Sequence, residues 1–111
     1  MRAPRLLVIG IDGATLDLIG PWAREGKLPA LRGLMESGVT KPLRSTLPPV
    51  TPVAWSSFLT GADPGGHGIY SFFRLDRSSY RPLPVHAGHR RLPSFWQSLS
   101  QAGVAVGQFN T

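Results

Sequence analysis

The sequence predicts an α/β protein built on a central parallel sheet. Residues 5–11 are apolar without alternation, which is typical of a strand buried on both faces of such a sheet. Helical patterns follow this strand, and a second apolar stretch at residues 104–109 follows the last of them. Alternation of strands with helices favours a parallel sheet with helical cover.

Three helical segments are predicted before residue 40, and each is bounded by residues that favour helix ends. Proline suits a first helical position, because the N–H that it lacks would have no partner there. Glycine commonly ends helices because it adopts the left-handed backbone conformation easily. The segments are residues 14–19 closed by Gly20, a second opened by Pro21 and stopped by Gly26, and residues 29–37 followed by Gly38.

Two more helices are predicted in the second half of the chain. The first begins at Pro52, after a proline-rich loop, and ends near Gly61. The second spans residues 93–102, where apolar residues recur on one face before Gly103. The remaining segments are predicted as loops at residues 62–68 and 78–91, an extended stretch at 69–74, and short strands at 39–44 and 104–109.

Composition limits the chain to one small domain and excludes several kinds of protein. Its 111 residues are 41% hydrophobic, which argues against disorder. The absence of cysteine excludes a disulfide framework, a zinc finger and a thiolate nucleophile. The apolar run at residues 6–11 is too short to cross a bilayer, and no cleavage site follows it, so we expect a cytoplasmic protein.

The chain is basic, with 12 Lys and Arg residues against 6 Asp and Glu residues. The basic residues are scattered, however, and only Arg90 and Arg91 are adjacent. A nucleic-acid surface would need basic residues clustered among aromatic ones, so nucleic-acid binding is not favoured. A solvated basic surface or a small anionic substrate fits the pattern better.

Asp12 is the first residue that could carry chemistry. It follows the predicted strand at the carboxyl end, the edge at which open α/β sheets bind ligands. A carboxylate there can bind a cation. It can equally stabilise a turn or cap the following helix, and its position alone favours neither interpretation.

Thr51 is the second candidate, because Pro52 suits the first position of a helix and makes Thr51 its predicted N-cap. The helix dipole at that place favours an alkoxide or a bound oxyanion. Thr51 could therefore act as a nucleophile if a metal ion activates it. Local pattern alone favours an ordinary capping threonine.

Three histidines complete the candidate set. His67 lies in a Gly-Gly-His-Gly segment that follows the predicted helix of Thr51. His86 and His89 are three residues apart in a polar stretch, a spacing that could hold a metal ion. Two histidines alone do not make a metal site, so a loop without a ligand is the favoured interpretation.

Four segments in order resemble the start of the type I phosphodiesterase / nucleotide pyrophosphatase family, within the alkaline phosphatase superfamily. The resemblance covers essentially the whole chain. Each segment alone is only weakly specific for the family, whereas the spacing from Thr-Pro through Thr-Gly to His-Gly-Ile is more specific. The segments are VIGIDG at residues 8–13, GKLP at 26–29, TPVAWSSFLTG at 51–61 and PGGHGIY at 64–70.

The resemblance implies a metal-dependent hydrolase of small phosphate esters that uses two divalent ions, usually Zn²⁺. Asp12 corresponds to the family's first metal-ligating aspartate. Thr51 corresponds to the nucleophile, which also ligates metal and forms a phosphothreonine intermediate. His67 matches a recurrent loop histidine that we do not assign as a ligand. Residues 1–111 would be the N-terminal part of one alkaline-phosphatase-like domain, whose central sheet is mostly parallel.

Two departures from the family pattern bear on function. Ser71, Phe72 and Phe73 occupy the place where nucleotide pyrophosphatases carry a phosphate-contacting asparagine, so nucleotide specificity is not implied. The remaining family ligands, an Asp-x-x-x-His, an Asp-His and a later His, are missing, and no acidic residue follows Asp76. We expect them in a longer protein, without which the chain would be inactive.

The alternative is a non-catalytic module that binds anions or a partner and retains only the start of the family fold. The missing ligands and the arginine-rich stretch at residues 74–91 favour this alternative for the chain as given.

Overall fold

A computed structural model describes residues 5–109 of the chain. The described residues form helices and one small sheet, in two compact units, one ending at Leu43 and the other beginning at Arg44. The elements are α1 (Leu16–Arg24), α2 (Pro29–Ser37), α3 (Thr51–Thr60), α4 (Pro64–His67), β1 (Phe73–Leu75), β2 (Pro82–Pro84) and α5 (Phe95–Gln101).

Helices α1 and α2 pack together in the first unit, and Ala23 of α1 is buried. The prediction that Gly20 ends one helix and Pro21 starts another is wrong, because α1 runs through both residues. Gly20 has no Cβ to clash with the following proline ring, which removes one of the costs of placing Pro21 inside a helix. The prediction for α2 is confirmed at both ends.

The structure has no strand at residues 5–11, 39–44 or 104–109, and those predictions are wrong for the described chain. Residues 5–11 are also exposed rather than buried, with Leu6 at 83% and Ile9 at 70% of full exposure. A parallel strand needs neighbours that complete its backbone hydrogen bonds and cover its faces. Among the described residues, no segment pairs with these three.

The one sheet of the described chain is an antiparallel hairpin of β1 and β2, which falls partly in a predicted loop. Pro82 and Pro84 predict a loop rather than a strand, since proline has no N–H to donate to a sheet hydrogen bond. The register explains their presence. The Asp76 N–H bonds to the Arg81 carbonyl and the Val85 N–H to the Phe72 carbonyl, which places both prolines opposite residues at non-hydrogen-bonded positions.

The hairpin turn is closed by an acidic side chain. The Ser78 and Ser79 hydroxyls donate to Asp76 Oδ2 at 2.8 and 2.6 Å. These hydrogen bonds lower the pKa of Asp76 to about 2, and the bond from Ser79 has the largest effect. The turn also places Tyr80 at φ +55°, a left-handed conformation that non-glycine residues seldom adopt.

Helix α3 and the short helix α4 pack together in the second unit. The predictions of α3 and of its end at Gly61 are confirmed, and Gly61 has φ +69°. Helix α4 was predicted as loop; Asp63 caps it by accepting a hydrogen bond from the Gly66 N–H at 2.8 Å. The predicted last helix is confirmed as α5 with shorter ends.

The core of the second unit is small and partly polar. Phe58 of α3 meets Phe95 of α5 edge to face, with ring centroids 5.9 Å apart. Val53 is completely buried, as are the polar residues His67 and Ser94. No helix among the described residues is long and apolar enough to cross a membrane.

Candidate active site

Thr51 is the first residue of α3 and not its N-cap, so that prediction is corrected by one position. Val50 is the cap: its backbone is extended, and its carbonyl accepts the N–H groups of Val53 and Ala54 at 3.1 and 3.0 Å. Pro52 is then the second helical residue, where its missing N–H also costs nothing. Thr51 therefore stands half-buried in the first turn of a ten-residue helix.

Asp12 is exposed, in a turn that precedes α1. Gly13 follows it at φ +69°, a left-handed backbone conformation that glycine adopts more easily than other residues. The Thr15 N–H bonds back to the Gly13 carbonyl at 3.1 Å and closes the turn. Asp12 belongs to the unit that ends at Leu43, whereas Thr51 belongs to the unit that begins at Arg44.

His67 is completely buried at the end of α4 and makes two side-chain hydrogen bonds. Its Nδ1 accepts the Ile69 N–H at 3.1 Å, and its Nε2 lies 2.9 Å from Ser57 Oγ on α3. Its carbonyl also accepts the Arg91 N–H at 3.1 Å. This histidine therefore joins α3, α4 and the segment that leads to α5.

The hydrogen bond between Ser57 and His67 resembles that of a nucleophilic serine with its base. Here, however, the histidine donates and the serine accepts. Because Nδ1 accepts a backbone N–H, the neutral ring carries its proton on Nε2 and donates it to Ser57 Oγ. A ring in this tautomer cannot take a proton from the serine. Ser57 has no signal in the sequence around it, since only the fold brings it to His67.

The pKa of His67 is lowered, first by burial and then by the charge of Arg90, while Asp63 opposes the shift. The neutral ring is the form that accepts the Ile69 N–H, and protonation of Nδ1 would remove that bond. The environment thus favours the form that holds the helices together.

The rings of His86 and His89 lie against each other at a tilt of 42°, with centroids 3.8 Å apart. His86 Nδ1 accepts the Gly88 N–H at 3.2 Å, and His89 Nδ1 accepts the His86 N–H at 3.1 Å. Each neutral ring then carries its proton on Nε2, which leaves neither nitrogen with a lone pair for a metal. The pair closes a single 3₁₀ turn, Ala87–His89.

We expect this turn to open as the pH falls. Partial burial and the charges of His86 and Arg74 lower the pKa of His89. A histidine with a lowered pKa stabilises the fold above its ordinary value of about 6.5, and that stability is lost as the pH falls through the lowered value. The amide resonances of His86 and Gly88 should shift together below that pH in an NMR titration.

The matched variant is His89→Asn, because an asparagine oxygen can replace Nδ1 as an acceptor and does not titrate in this range. It should keep the turn and lose the acid shift of the His86 amide. An unchanged shift in this variant would show that His89 does not control the turn.

No group of three or more metal-ligating side chains occurs within residues 5–109. The oxygen donors of Asp12 and Thr51 suit a divalent cation chemically. Among the described residues, neither of them belongs to a group of three or more His, Cys, Asp or Glu side chains that could hold a metal ion.

A family model for type I phosphodiesterase / nucleotide pyrophosphatase matches residues 6–109. The class defined by this match is a hydrolase class, generally metal-dependent, that acts on phosphodiester and pyrophosphate bonds. The chain belongs to the type I phosphodiesterase / nucleotide pyrophosphatase family, and the resemblance found in the sequence is confirmed. Comparisons with curated proteins and with solved structures found no match.

Proposed function

We propose that this chain supplies the nucleophile and two metal ligands of a metal-dependent phosphate-ester hydrolase. Thr51 is the nucleophile and also a ligand, and Asp12 is the second ligand. The observation that carries the proposal is the family match over residues 6–109, which includes both residues. Residues 1–111 are the N-terminal part of one catalytic domain, whose mostly parallel sheet and two-metal site are completed by residues beyond this chain.

The setting of Thr51 supports this role. The first turn of an α-helix carries a partial positive charge, which stabilises an anion placed there. Thr51 opens α3, and none of the residues in its first turn is acidic. An alkoxide on Thr51 and the oxygens of a phosphate ester would both be stabilised by this end of the helix.

The reaction would proceed in two displacements. The Thr51 hydroxyl loses its proton to solvent as its Oγ attacks phosphorus, the bond between phosphorus and the leaving oxygen breaks, and the leaving oxygen takes a proton from solvent. A water molecule then attacks the phosphothreonine, the Thr51 oxygen leaves and is reprotonated, and the attacking water loses its proton to solvent. Divalent ions, usually Zn²⁺ in proteins that this chain resembles, would favour the alkoxide form of Thr51 when bound.

Replacing Asp12 tests the metal-binding part of the proposal in the complete protein. Loss of a residue that only orients a metal ligand lowers metal affinity by about 10–100-fold. Loss of a direct ligand should cost more, so Asp12→Asn should weaken zinc binding by more than about 100-fold. Bound zinc and hydrolysis of an aryl phosphodiester are both measured. Chelation should abolish the activity of the unmodified protein, and added zinc should restore it.

Asp17→Asn is the matched control, because Asp17 is an exposed aspartate in the first turn of α1. It should leave zinc content and activity unchanged. If Asp12→Asn behaves like this control in both measurements, Asp12 is not a ligand.

A further inference from the structure

An open groove of about 650 Å³ lies along α5, within the unit that begins at Arg44. The segment that leads to α5 forms one wall, with both adjacent arginines in it. Helix α5 forms the other wall through neutral polar side chains. The lining residues that matter here are Gly88, Arg90, Arg91, Gln97, Ser100 and Gln101.

The groove carries positive charge without an internal counter-ion. Among residues 5–109, ion pairs within 4.0 Å join Lys27 to Glu25 and Arg32 to Glu36, and none involves Arg90 or Arg91. The sequence contains no acidic residue after Asp76, so α5 offers no carboxylate either. Two arginines that follow each other in the chain, both lining the groove and neither paired with a carboxylate, attract anions.

Arg90 shows a second sign of a missing partner. Its Nε is buried, and it has no hydrogen-bond partner among the described residues. Buried donors of this kind are rare in folded proteins, and a charged one is costly to leave unpaired. An anion at the guanidinium would offset the charge that this part of the fold buries.

Arg91 is exposed, but its backbone and side chain both contact the segment of His67 and Gly68. Its backbone N–H donates to the His67 carbonyl, and its side chain covers Gly68. A Cβ at Gly68 would lie 2.9 Å from Arg91 Nε and 3.1 Å from its Cδ, so only glycine permits this placement. Gly68 also has φ +78°, which favours glycine independently.

We propose that this groove binds a small phosphate-bearing molecule. Arg90 and Arg91 are its cationic contacts, and Ser100, Gln97 and Gln101 contribute neutral hydrogen bonds. Two arginines match the double charge and several oxygens of a phosphoryl group better than the single charge of a carboxylate. The volume suits a small molecule. A polynucleotide is not favoured, because the other basic residues are scattered along the chain.

Titration with inorganic pyrophosphate tests this site in the complete protein. Chelator is present throughout and Thr51 is replaced by alanine, so binding at the proposed catalytic site does not contribute. We expect saturable binding that shifts the amide resonances of Ser100 and Gln101. Arg90→Gln and Arg91→Gln should each weaken it by about tenfold or more.

Arg77→Gln is the matched control, since Arg77 is an exposed arginine in the hairpin turn. It should bind pyrophosphate as tightly as the parent. Arg91→Lys keeps the proposal testable even if Arg90→Gln fails to fold. Arg91 is exposed, so this substitution should not disturb the fold. Lysine keeps the positive charge but lacks the planar pair of N–H donors. This variant should bind more weakly than the parent while its thermal melt stays unchanged.

Several results would overturn the proposal. They are equal affinities in the Arg90, Arg91 and Arg77 variants, acetate binding as tightly as pyrophosphate at equal ionic strength, and a preference for a single-stranded oligonucleotide. The first would indicate a general charge effect, the second a carboxylate site and the third a nucleic-acid surface.

Discussion

Thr51→Ala is expected to lower kcat for aryl phosphodiester hydrolysis by about 10⁴-fold or more, because removal of a nucleophile in other hydrolases costs about 10⁴–10⁶-fold. The fold should survive, since Thr51 lies half-buried in the first turn of α3 and Val50, not Thr51, is the N-cap of that helix. Circular dichroism and a thermal melt measure the fold, and steady-state kinetics on the complete protein measure kcat.

Two variants separate chemistry from structure. Thr60→Ala makes the same change at the other end of α3, where the Thr60 hydroxyl donates to the Ser56 carbonyl at 2.7 Å, and should retain most of the activity. Thr51→Ser keeps a hydroxyl nucleophile and should retain measurable turnover. Full activity in Thr51→Ala would disprove the assigned role.

His67→Ala has the largest expected effect on stability. It removes a completely buried side chain, leaves a cavity beside α3 and deprives the Ile69 N–H of its acceptor. Cavities and lost buried hydrogen bonds together cost about 3–5 kcal/mol. The melting temperature should therefore fall by more than about 10 °C, since 1 kcal/mol corresponds to about 4–8 °C in a domain of this size.

Ser57→Ala removes one hydrogen bond and leaves the ring in place, so it should cost about 1 kcal/mol. His67→Asn provides an oxygen that can accept the Ile69 N–H, and it should be less destabilising than alanine. If His67→Ala melts within a degree or two of the parent, His67 does not join α3 to α4 as the structure indicates.

The helices were predictable where local signals agree with each other. Pro29 and Gly38 bound α2 as predicted, and Gly61 ends α3 in the left-handed conformation that its position suggested. Helix α1 was mispredicted because two helix-breaking residues stand together: the missing Cβ of Gly20 removes the clash that Pro21 would cause with a larger neighbour.

Strands were less predictable because their stability depends on partners elsewhere in the chain. Residues 5–11 have the composition of a buried strand, yet the described residues offer no neighbour for them. The hairpin was missed for the opposite reason. Pro82 and Pro84 suggest a loop, and only the register shows that neither needs a sheet hydrogen bond.

The candidate site was predictable in its residues and not in its contacts. Position after an apolar segment and before a helix singled out Asp12 and Thr51, and those signals are local. The contact of Ser57 with His67 joins residues ten positions apart in different helices, and the groove with Arg90 and Arg91 depends on how α5 packs. Neither has a sequence pattern.

The most direct test of the central claim is to identify the residue that becomes phosphorylated. The complete protein is mixed with an aryl phosphodiester, quenched in acid and digested, and the peptide that contains α3 is fragmented in a mass spectrometer. We expect on Thr51 a phosphoryl adduct that keeps the second ester group of the substrate and is absent from Thr51→Ala. An adduct on Ser56 or Ser57, or turnover without any adduct on this peptide, would contradict it.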